Sequence, residues 1–70
     1  MNHYYLNRDT MGNPNHNHEV HKSTCRYLPS ALNRVYLGYF SSCAEAMKVA
    51  KLYYNNVDAC VFCCPECHHE

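Results

Sequence analysis

The sequence predicts a small α+β domain of the order β-β-β-α, ending in a cysteine-rich segment. Three observations predict it. Short stretches of strand character stand at residues 3–7, 18–22 and 35–40, separated by turn-forming residues. One S-x-x-E box, Ser42 to Glu45, opens a single amphipathic stretch. Four of the six cysteines crowd into the last eleven residues, as C-x-x-C pairs placed back to back.

His3-Tyr4-Tyr5-Leu6-Asn7 reads as a first strand, aromatic-rich and stopped by polar residues. Residues 8–17 then collect Asp9, Gly12, Pro14 and three asparagines, which predicts a mobile loop. His18-Glu19-Val20-His21-Lys22 reads as a second strand, paired with the first as a hairpin. Pro29 biases Leu28 toward extended backbone and argues against helix there. Val35-Tyr36-Leu37-Gly38-Tyr39-Phe40 is a nearly continuous aliphatic and aromatic run, which predicts a central strand, with Gly38 marking a bulge or a close backbone approach. The helix begins at the Ser42 box. Cys43, Met47, Ala50 and Tyr54 give it one apolar face, and Asn55-Asn56 is expected to end it. Val57-Asp58-Ala59 reads as a connector to the cysteine tail. No internal repeat or long linker interrupts the chain, so residues 1–70 are expected to form one domain.

Such a domain lacks the aliphatic residues to hold itself together. Leu, Val and Phe supply twelve residues, about 17% of the chain, and Ile is absent. A core of that kind is marginal at 70 residues, and seven tyrosines replace it only in part. A staple is needed, and the cysteines are the candidates. No signal-peptide-like run opens the chain and no stretch nears the ~18 apolar residues of a membrane span. A cytoplasmic, reducing setting is therefore expected, where clustered thiols bind metal more often than they bridge. Oxidation of all six would also force at least one short, strained bridge within the tail.

A C-x-x-C pair grips one side of a tetrahedral Zn²⁺ ion, and His21-x3-Cys25 can reach around the other. The tail offers two frames for the second pair. Cys64-Pro65-Glu66-Cys67 is favoured physically, because Pro65 pre-sets a tight turn that brings two thiolates together. Cys60-Val61-Phe62-Cys63 encloses two bulky apolar residues, as though facing the core. One imidazole and three thiolates would make a closed, structural site for a single zinc ion. Were His21 merely an exposed strand residue, a third tail cysteine would complete an all-thiolate site.

His21-Lys22-Ser23-Thr24-Cys25-Arg26-Tyr27, then Asn33-Arg34-Val35-Tyr36, then Phe40-Ser41-Ser42 with Glu45-Ala46, followed by C-x-x-C, resembles the Ada-type metal-binding domain over residues 20–63. That family is a small zinc module associated with bacterial DNA-alkylation repair and also found on unrelated enzymes. The resemblance implies that positions 21 and 25 and one tail C-x-x-C bind the ion, and its order of motifs favours Cys60 and Cys63. Two features depart from it. The repair proteins accept a methyl group on the first cysteine of C-x3-C, where this chain has His21. The connection from helix to tail is also longer, and a second C-x-x-C follows. The resemblance thus implies a metal fold without alkyl transfer. The whole chain is also similar to small stand-alone bacterial cysteine-rich proteins, a likeness that implies no activity.

Other constellations are weaker. His16, His18 and His21 could gather an ion only if the loop were ordered, and His68 after Cys67 is an alternative ligand. Lys22, Arg26 and Arg34, interleaved with Tyr27 and Tyr36, could meet phosphates and bases of a nucleic acid. The neutral net charge supplies no long-range attraction for such a partner. The carboxylates are scattered, without a paired acid and base, so an enzyme is not expected. The expected function is a binding or adaptor module with a protein partner, monomeric or weakly dimeric. A thiol-redox or metal-sensing role for the tail is the alternative, and a nucleic-acid-binding zinc domain the third.

Overall fold

The computed structural model describes residues 1–8 and 17–68. The loop expected over 8–17 therefore lies outside the described residues except for its two ends. Strands β1 (Asn2–Asn7), β2 (His18–Lys22), β3 (Arg34–Phe40) and β4 (Val57–Ala59) form one sheet, with helix α1 (Cys43–Ala50) between β3 and β4. The sheet order is β3-β1-β2-β4. β1 pairs antiparallel with β2, as the expected hairpin, and antiparallel with β3, while β4 runs parallel to β2. The class is α+β, with one strand more than the sequence predicts.

β4 escapes a reading by periodicity because three residues carry no period. Its neighbours hold it: His18 donates its backbone N–H to Asn56 and Cys60 donates to Val20, so β2 is bonded along both its edges. β3 is at the sheet edge and not at its centre. Its apolar run divides between two faces, Leu37 turned inward while Tyr36 and Tyr39 stand half exposed. Those tyrosines form an aromatic layer with His3 and Tyr5 on the side away from the core, and the Arg34 guanidinium sits 4.7 Å over the Tyr5 ring. Tyrosine tolerates this half-wet setting because one end of it is polar.

Tyr4 and Leu6 of β1, Val20 of β2 and Ala59 of β4 turn to the other face and meet Cys43, Ala46, Met47 and Ala50 of α1. The apolar face read from the sequence is thus the buried one, but two local expectations change. The helix is regular only to Ala50; Leu52 and Tyr53 bond back three residues, tightening the last turn well before Asn55. Ser42 is the N-cap residue without a side-chain cap bond, and Glu45 is taken by the Ser41 hydroxyl.

The bulge expected at Gly38 is present. Tyr4 faces Gly38 and Tyr5 faces Tyr36, which leaves Leu37 as the extra residue. Gly38 has φ +141°, and a Cβ there would lie 2.7 Å from the Phe40 ring. Gly38→Ala should therefore lose about 1–3 kcal/mol, read as a lower urea midpoint; an unchanged midpoint would show that the bulge carries no constraint.

Candidate metal centre

His21 leaves β2 on the face opposite Val20, and the chain reverses immediately after it. Cys25 donates its backbone N–H to the Lys22 carbonyl (3.0 Å), which brings its thiol back beside the imidazole. On the other side, β4 delivers Cys60. A tight turn closed by the Cys64 N–H to the Cys60 carbonyl (2.8 Å) then returns Cys63 toward the same point. One ligand atom from each of His21, Cys25, Cys60 and Cys63 lies within 4.8 Å of all the others. This cluster could hold a metal ion.

Two details of the cluster bear on that capacity. The Sγ atoms of Cys25 and Cys60 are 3.9 Å apart. Four ligands about 2.3 Å from a tetrahedral ion would set sulfurs roughly 3.8 Å apart, so this edge fits with little movement. The second detail is His21. Its side chain is 2% exposed, yet neither ring nitrogen has a hydrogen-bond partner. Leaving polar atoms buried and unpaired costs about 1–3 kcal/mol each, and a cation accepting one lone pair removes part of that cost. Burial pushes the imidazole pKa down to about 4, keeping the ring neutral as a ligand must be. Its Nε2 is 3.7 Å from Glu19 Oε1, where a carboxylate can orient the ring.

Burial likewise pushes the Cys60 and Cys63 thiols up, Cys63 strongly, against partial relief from the Lys22 backbone N–H 3.3 Å from its sulfur. A cation reverses this preference by binding the thiolate directly.

The two tail frames separate. Cys60 and Cys63 join His21 and Cys25, while the physically favoured pair is directed elsewhere. Pro65 does open a tight turn, a 3-10 segment Pro65–Cys67, but that turn buries Cys64 in the core and swings Cys67 toward α1, where it is bridged to Cys43. Proline set the local curvature and could not set its direction. Val61 and Phe62, expected to face the core, are exposed, Phe62 packing on Tyr27 with ring centroids 4.6 Å apart.

Among the described residues, His18 and His68, the other histidines considered as ligands, have other partners. His18 donates through Nδ1 to the Asn7 carbonyl (2.9 Å) and stacks on Tyr54, and His68 donates to the Ala59 carbonyl (2.8 Å). His16 lies outside the described residues. Of the three basic residues considered for nucleic acid, Arg34 donates to the Pro29 carbonyl (2.9 Å) while packed on Tyr5. Arg26 lines a cleft of about 420 Å³ beside Cys25 and Cys63, together with Tyr27 and Phe62. Lys22 enters the site through its backbone. Among the described residues no helix is long and apolar enough to cross a membrane. No family model, curated protein or solved structure matches this chain.

Proposed function

We propose that this chain is a zinc-stabilised binding or adaptor module of the cytoplasm, with one structural ion held by His21, Cys25, Cys60 and Cys63 and a protein as its partner. The observation that carries the metal is the buried imidazole with no hydrogen-bond partner, facing three thiols. Three soft sulfurs and one imidazole within 4.8 Å of one another suit Zn²⁺ better than hard cations such as Mg²⁺ or Ca²⁺. Four protein ligands leave no position for a substrate, which favours a structural role over catalysis. The resemblance to the Ada-type domain supports the same four positions. Native mass spectrometry should find one zinc per chain, lost in Cys25→Ser; a protein isolated without metal, and unable to take up added zinc, would end this reading.

Proton competition gives a second measurement. Cys60 and Cys63 carry protons when no metal is bound, since free thiols are protonated near neutral pH and burial raises both further. Binding displaces those protons, so zinc binds better as pH rises and worse as it falls. With at least two protons released, the apparent affinity should drop about 100-fold per unit between pH 8 and 6. Competition against a chelator of known affinity, corrected for the chelator's own protonation, measures the slope. A flat profile would exclude buried thiols as ligands. His21 adds to the acid side: its folded pKa lies below the ordinary value, so the unfolded chain takes up the proton first, and folding stability falls from about pH 6.5 toward 4.

A further inference from the structure

The metal cluster uses only one of the two C-x-x-C pairs. Cys64-Pro65-Glu66-Cys67 remains, and Cys43 belongs with it. A disulfide joins Cys43 to Cys67 across 24 residues, so their sulfurs occupy one place in the fold. Glu66 points a carboxylate oxygen at that place, 3.3 Å from the Cys43 sulfur. With the bridge intact this is an ordinary van der Waals contact; with Cys43 reduced, the carboxylate stands within reach of an ion held by the two sulfurs. Cys64, fully buried and unbridged, precedes Cys67 in the same turn, but its sulfur lies 3.8 Å from that of Cys63, beside the first cluster.

The site is also reachable. A cleft of about 350 Å³, lined by Met47, Lys48, Lys51, Glu66 and Cys67, opens beside the tail end of the bridge. Its two lysines would partly offset the negative charge of thiolates and carboxylate gathered next to them.

We propose that the Cys43–Cys67 disulfide gates a second metal site. Once reduced, Cys43 and Cys67, with the Glu66 carboxylate, bind a further thiophilic divalent cation. The opening step is thiol–disulfide exchange with a dithiol reductant. The dithiol gives up two electrons and two protons and becomes a disulfide, while the Cys43–Cys67 bond breaks to two thiols. Each thiol then loses its proton to solvent as its sulfur binds the cation. Oxidation removes two donors at once and expels the ion. The tail would thus hold a permanent ion through its first C-x-x-C and a redox-dependent one through Cys67.

Zinc is the probe, counted per chain by native mass spectrometry on the full protein, before and after anaerobic treatment with a phosphine reductant. The oxidised protein should carry one zinc and the reduced protein two. Reduced Cys67→Ser should carry one, and Cys43→Ser provides the same comparison from the helix side. A count unchanged by reduction, with Cys43 and Cys67 shown to be thiols by alkylation after zinc removal, overturns the proposal. So does a second ion that survives in both serine variants. The oxidised wild type keeps the two sites distinguishable, because its Cys43–Cys67 bridge leaves only the first free to bind. Zinc absent from the oxidised wild type but bound in the reduced form, and lost in Cys67→Ser, would refute the first site while supporting the second.

Discussion

A strong chelator should unfold this protein, even with its disulfide intact. The arithmetic favours that outcome. Structural zinc contributes on the order of 10–16 kcal/mol in small domains at neutral pH, whereas ordinary domains are stable by only about 5–15 kcal/mol in total. This chain is poor in aliphatic residues, with twelve Leu, Val and Phe and no Ile. The Cys43–Cys67 bridge closes a loop of 24 residues, a constraint of roughly 3 kcal/mol on the unfolded state. It ties the tail to α1, however, and not to the His21–Cys25 turn. Stripping the ion leaves a buried imidazole unpaired and three thiols with no centre to face. Amide NMR dispersion should collapse as mass spectrometry shows zinc leaving, and should return on adding one equivalent of Zn²⁺. Dispersion that persists in the stripped protein would mean the core suffices without metal.

The parts of this arrangement that depend on local chemistry were legible in the sequence. Alternating and aromatic stretches marked β1, β2 and β3 to within a residue or so, and the apolar positions of α1 are the buried ones. Gly38 signalled a bulge or a close approach, because an isolated glycine in a strand marks such places, and the bulge is there. Long-range choices were not legible. The edge position of β3 follows from β1 lying between β2 and β3, which no feature of β3 itself encodes. The preference for Cys64 and Cys67 weighed the turn at Pro65 correctly but could not see β4. By pairing with β2, that three-residue strand delivers Cys60 next to His21. Motif order pointed to Cys60 and Cys63, where the turn argument pointed away from them. Spacing within a C-x-x-C says that two thiols converge, and only the path of the chain says on what.

Leu6→Ala should be the most damaging single change among the aliphatic residues, lowering stability by about 2–5 kcal/mol even in the zinc-loaded protein. Leu6 is 0% exposed. In the register it stands between Val35 of β3 and Val20 of β2, beneath the helix. The chain has few replacements for it, since Leu32 and Leu52 are exposed and the core holds only Leu37 besides. Truncation leaves a cavity between sheet and helix, where backbone pairing on both sides of β1 limits collapse. Urea titration with zinc saturating should show a lower midpoint at an unchanged slope, because the surface exposed on unfolding barely changes. Leu32→Ala, at 85% exposure, should stay within about 0.5 kcal/mol of the parent. Equal effects at the two leucines would mean that the ion alone holds the fold and the sheet–helix core contributes little.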